Sequence, residues 1–323
     1  MRDLYTRLRR IGFEQRFVRE RLLPDWWDDS LGSDPASRAI AEMAIARLLG
    51  LPMSDLQDRE RPLTLPSLAR FRLKARAGVQ LSDMAPALAL AAQVAAIAAQ
   101  TLGTIPRFGG LRTALQSRER ILQSRGRVDL AGLLEYSWES GIPVLHLAQL
   151  PPRKFTGLAL FSGELPVIVL ASGSDSPPWI AFHLAHELGH VLLGHVTPGS
   201  VSLVDDEIAF GDDIEGEEAD SDRFACEVLT GIPRPTARPE YGLTAPLLVD
   251  RVRARAESLR ADPGVIALMY GKNANRMPVA QAALKRMGLS RGAKAIIEQA
   301  LRRRLPDELP ETAARVISLL AAA

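Results

Sequence analysis

The chain reads as α+β. A short, mostly antiparallel sheet and two helices rich in metal-ligand side chains sit between helical N- and C-terminal regions. Three observations predict this. Both ends repeat apolar residues at helical spacing among arginines, as in Leu4, Leu8, Ile11, Val18 and Leu22. In the middle, residues 142–148, 157–161 and 167–171 are short apolar runs separated by Pro151-Pro152 and Ser162-Gly163, the punctuation of strands and turns. Four of the five histidines, His183, His186, His190 and His195, then fall within thirteen residues.

Taken in order, residues 2–22 form an amphipathic helix that Pro24 stops. Residues 37–49 form a second, with Ser37 as cap and Gly50 as terminator. Pro62 and Pro66 mark a break, and helices follow over 67–77, the alanine-rich stretch 85–102 and 111–123. Asp129 caps a helix over 130–139 that closes at Gly141. After the three strands, Pro177-Pro178 open a long helix over 179–193, ended by Gly194. A loop rich in Ser, Asp and Gly leads to a helix over 213–229, stopped by Gly231 and Pro233. Helical segments over 243–261, 278–287, 290–303 and 310–321 complete the chain. The expected organisation is a helical N-terminal region (1–128), a core (129–235) and a helical C-terminal extension (236–323).

With 323 residues, 47% hydrophobic and 24% charged, the chain has soluble globular composition and material for two or three modest cores. The single cysteine, Cys226, excludes a disulfide framework and argues against a cysteine zinc site; it reads as a small buried residue. No apolar segment follows the basic start MRDLYTRLRR, so it does not read as a secretory signal, and a cytoplasmic location is expected. Residues 84–106 carry no charge, yet alanine dominates them and Gln93 and Gln100 interrupt them; this is a packed helix and no membrane contact is expected. The net charge of +2 divides into +5 over 1–150, −10 over 151–235 and +7 over 236–323. The basic flanks are candidates for contact with nucleic acid or an acidic partner. Trp26-Trp27, between Asp25 and Asp28, reads as a core anchor with a solvated rim.

His186 and His190 are four residues apart, so both imidazoles lie on one helix face and can share one ion. Glu187 lies between them in sequence, in the place of a general base for metal-assisted hydrolysis. The helix is otherwise apolar, and three ionisable groups on a buried helix require a partner. Two sources of a third ligand stand. The pattern HExxHxxGxxH is a near miss, with Gly194 one position late and His195 one early. The alternative is the acidic stretch 215–225, where Glu218 and Asp222 are four apart and face one way. Glu218 would complete the metal set and Asp222 would accept a hydrogen bond from a ligand histidine; Glu217 and Asp220 remain alternatives to Glu218. Asp205, Asp206, Glu207, Asp212 and Asp213 read as solvated charges.

The segment Phe182-His183-Leu184-Ala185-His186-Glu187-Leu188-Gly189-His190 resembles the FxxAHELGH segment of the ImmA/IrrE metallopeptidases. Residues 218–225 (EADSDRFA) are similar to that family's second motif helix, with Asp220, Ser221 and Asp222 where the family has Glu, Ala and Asn. Weaker likeness extends over about 130–290. The resemblance implies a zincin-like core and one zinc ion held by His186, His190 and Glu218, with Glu187 as general base. It also implies cleavage of a helix-turn-helix repressor in a stress, mobile-element or phage-defence response. A substrate strand would add to the sheet beside 167–171, and His195, His183 and Tyr241 are candidates for stabilising the oxyanion. A different class of function is a DNA- or partner-binding regulator with a structural zinc domain. Residues 46–56 have a faint helix-turn-helix rhythm, although the would-be recognition helix, 54–60, is acidic.

Overall fold

The apolar runs of the middle third pair into a five-stranded sheet in the computed structural model. The structure describes residues 1–66, 72–74, 81–147, 149–151, 155–204, 216–236, 240, 242–309, 316 and 319–320. The strands are β1 (Arg72–Lys74), β2 (Val144–His146), β3 (Gly157–Ser162), β4 (Leu165–Leu170) and β5 (Ser200–Val204), in the order β1-β5-β3-β4-β2. β3 runs antiparallel to both β4 and β5, while the outer pairs β1–β5 and β2–β4 are parallel. The sheet is therefore mixed and not mostly antiparallel. The outer pairs escaped the sequence reading because parallel neighbours are distant in the chain; β5 lies in what reads as a loop, and β1 in what reads as a helix over 67–77. The remainder of 67–77 lies outside the described residues.

Alternation along the strands explains why they read as unbroken apolar runs. Leu145, Leu158, Leu160, Val167 and Val169 point to one face and join the core of the N-terminal helices. Val144, Ala159, Ile168 and Leu170 point to the other and join the helices that carry the histidines. Both faces are covered, so neither face is polar.

On the first face lie α1 (Arg2–Arg10), α2 (Gln15–Phe17), α3 (Pro35–Leu49), α4 (Met53–Gln57) and α5 (Leu81–Thr101). The expected helix over 2–22 is broken: Gly12 adopts a left-handed φ of +93°, and the side of its Cα is filled by Pro86 of α5, 2.3 Å from where a Cβ would sit. The chain resumes as α2 and runs into a π-helical turn over Val18–Leu22. Helix α3 is capped by Asp34, whose carboxylate accepts from the Ser37 N–H at 2.8 Å, so Ser37 is inside the helix and not its cap. Trp27 packs on this core, but Trp26 is 47% exposed and is no core anchor. Helix α4 spans five residues, and Arg7 donates to the Leu56 and Asp55 carbonyls at its end. Helix α5 is long and apolar enough by length and composition to cross a membrane; half of its Met84–Thr101 window is buried within the protein, against α3, β3 and β4.

The second face carries α6 (Ala114–Arg125), α7 (Leu130–Glu139), α8 (Pro177–Leu192) and α9 (Glu217–Thr230). Asp129 caps α7 as expected, accepting from Gly132 N–H at 2.9 Å. Then come α10 (Ala245–Leu259), α11 (Pro263–Asn273), α12 (Met277–Met287) and α13 (Ala293–Arg302). Helices α10–α12 share a small core of their own, and α11 is an element beyond the expected set. Most of the expected 310–321 helix lies outside the described residues.

Arg118 of α6 ties this half together. Its guanidinium donates to the Val228 carbonyl of α9 at 2.8 Å and to the Leu259 carbonyl that ends α10. Helix ends carry unpaired carbonyls, and one buried cation here serves two of them. Arg118→Met should lower unfolding free energy by about 3 kcal/mol in urea denaturation, because both carbonyls lose a charged donor.

Candidate metal centre

Helix α8 begins on Pro177-Pro178 and is apolar along its length, so it is buried between the sheet and α9 with its ionisable groups inside. His186 is 3% exposed, Glu187 1% and His190 1%. Two glycines make this possible. A Cβ at Gly189 would lie 3.0 Å from Ser221 Cα and 3.2 Å from Phe224 Cβ, so glycine lets α8 and α9 approach a few tenths of an ångström closer than a side chain would. A Cβ at Gly157 of β3 would lie 2.3 Å from Glu187 Oε1, so the strand opens a gap for that carboxylate.

The approach of α9 brings Glu218 to the histidine pair. His186 Nε2 and His190 Nε2 are 3.0 Å apart. Glu218 Oε2 lies 3.5 Å from His186 Nε2, and Glu218 Oε1 lies 3.3 Å from His190 Nε2. One donor atom from each of the three residues falls within 4.8 Å of the others. A tetrahedral ion with bonds of about 2.1 Å holds its ligand atoms roughly 3.4 Å apart, so these separations suit a single cation. Two imidazoles and one carboxylate are a donor set that could hold a metal ion. Glu187 Oε2 is buried with no hydrogen-bond partner.

The outer nitrogens are held as well. His186 Nδ1 lies 2.6 Å from Asp222 Oδ1, the bond expected of Asp222. His190 Nδ1 lies 3.3 Å from His195 Nδ1, which is also 3.2 Å from Ser221 Oγ. His195 thus stands behind His190 and is outside the ligand group, which removes the HExxHxxGxxH reading. The cause is Gly194 at φ +79°: the chain turns back so that His195 N–H donates to the His190 carbonyl at 2.9 Å. His183 is fully buried against Trp179, where burial pushes it down to about 3, so it is neutral and outside the donor set. Tyr241 lies outside the described residues, as do Asp205, Asp206, Glu207, Asp212 and Asp213. Among the third-ligand alternatives, Glu217 and Asp220 are not in the group, and Asp220 pairs with Arg223. Cys226 is buried on α9 with its thiol pushed up by burial, as a small core residue would be.

Strand β4 is not an edge. β3 and β2 occupy both of its sides, so a substrate strand cannot add beside 167–171. Gly157 and the outer-nitrogen role of His195 are functional features that sequence spacing missed. An isolated glycine opening an apolar strand was the available signal for the first.

Burial pulls the His186 pKa down, but its bonds to Asp222 and Glu218 outweigh this and raise it to about 10. Burial raises Glu187 to about 8, partly countered by His186. Doubly protonated His186 donates from Nδ1 to Asp222, and its Nε2 proton faces His190 Nε2 and Glu218 Oε2. A proton on His186 Nε2 holds the place a cation would take. No family model matches the chain, and no curated protein matches it either.

Cation binding must displace that proton, so affinity rises with pH up to about 10 and falls as pH drops. Titration calorimetry of zinc at pH 7 in buffers of different ionisation enthalpy should register at least about one proton released per ion. Asp222→Ala should weaken zinc binding about 10- to 100-fold with the stoichiometry unchanged.

Proposed function

We propose that this chain is a zinc-dependent endopeptidase of ImmA/IrrE type, with a zincin-like core. The observation that carries the reading is the convergence of His186, His190 and Glu218 beside the buried, unpartnered carboxylate of Glu187. When bound, zinc supplies Lewis acidity to a carbonyl oxygen and to a water molecule. Glu187 takes a proton from the attacking water and passes it to the leaving amine. A carboxyl group that titrates near neutrality suits both directions of that transfer. Asp222 and His195 orient the two imidazoles so that each Nε2 lone pair faces the same point. Gly157 keeps the Glu187 carboxylate from being displaced by a strand side chain. The motif resemblance supports a helix-turn-helix repressor as substrate, in a stress, mobile-element or phage-defence response.

Co-expression with a helix-turn-helix protein encoded beside this gene tests the reading. The native chain should cut that protein at a defined bond, and Glu187→Gln should abolish the cut while retaining one zinc ion per chain. A Glu187→Gln chain that still cuts would sink the proposal. Gly157→Ala should likewise retain zinc but lower the cutting rate at least about 100-fold, because a displaced base loses its geometry.

A further inference from the structure

A cavity of about 460 Å³ opens where α10 and α11 meet the segment that follows α9. That size is ordinary for a small-molecule site. Leu248, Val252 and Leu259 of α10 and Ile266 and Met269 of α11 make its apolar walls. The segment 232–236 closes one side and is tethered by Asn273 Nδ2, which donates to the Pro235 carbonyl at 2.6 Å.

The polar groups around this apolar floor are lopsided in charge. Arg234, Arg251 and Arg255 line the cavity, against one carboxylate among the described lining residues, Glu240. Arg251 and Arg255 are four apart on α10, so they project from one face. Arg251 forks onto Glu240, with Nη2 2.9 Å from Oε1. Arg234 and Arg255 are exposed at the rim of the cavity, and no ion pair joins either to a carboxylate among the described residues. Tyr270 also lines the cavity, with its hydroxyl turned away from solvent. Guanidinium forks beside an apolar floor are the complement of a molecule with an apolar or aromatic body and an anionic end. Guanidinium forks favour phosphate, whose oxygens accept two parallel N–H bonds.

We infer that this cavity binds a nucleotide-sized organic phosphate, its body on the α10–α11 walls and its phosphate between Arg234 and Arg255. The site is separate from the metal centre. It adjoins that centre's scaffold, because Thr230, the last residue of α9, and Met269, which packs in the core of α8, both line it.

Calorimetric titration of the full chain with ADP, adenosine and inorganic pyrophosphate tests the inference. ADP should bind at one saturable site, and adenosine and pyrophosphate at least about tenfold more weakly, since each offers half of the recognition. The Arg234→Ala/Arg255→Ala variant should lose about tenfold or more in ADP affinity with its thermal unfolding unchanged, because neither arginine holds the fold. Glu187→Gln should bind ADP like the native chain, which separates this site from the metal centre. The absence of ADP binding, equal binding of adenosine, or ADP binding indifferent to the arginine variant would each overturn it.

Discussion

The close contact of α8 and α9 at Gly189 is the constraint on which the site depends. With no side chain there, Ser221 and Phe224 of α9 sit against the backbone of α8. Glu218, one turn before Ser221, and Asp222, the residue after it, then reach His186 from two sides, Asp222 at Nδ1 and Glu218 at Nε2. A larger residue at position 189 would push the helices apart and open both contacts together. Glu218 supplies the group that faces both imidazoles, so the helix separation decides whether the histidines form a cation site or merely a buried pair.

Burial sets the electrostatics of that contact. His186, Glu187 and His190 are almost fully enclosed, and charges in such surroundings are costly unless paired. Two carboxylates around His186 hold a proton on it, and burial keeps Glu187 protonated near neutrality. A divalent cation bound there would replace the His186 proton and favour the ionised form of Glu187. The buried polar groups of α8 therefore make sense as one unit with a cation at its centre, and far less sense as satisfied core residues.

Much of this was legible in the sequence. The i,i+4 spacing of His186 and His190 and of Glu218 and Asp222 specifies which side chains share a helix face, and the structure brings these faces together. The three apolar runs pair as strands because short apolar segments bounded by turns have few other options. What stayed hidden depends on contacts between distant segments. β1 and β5 take their identity from each other and from β3. The interior place of β4 follows from parallel pairing with β2, which no local signal encodes. The role of His195 depends on one left-handed glycine: Gly194, which in the near-miss motif would have delivered a third ligand, instead folds His195 behind His190. Gly157 gains its meaning from the register that sets it under Glu187.

X-ray absorption at the zinc edge of the purified, zinc-loaded full chain tests the central claim most directly. The account predicts a four-coordinate ion with two imidazole nitrogens, one carboxylate oxygen and one further light ligand, all at about 2.0–2.2 Å. The imidazole contribution should fall by half in a His190→Ala chain. A sulfur ligand, a third imidazole, or an environment unchanged by the loss of His190 would contradict it.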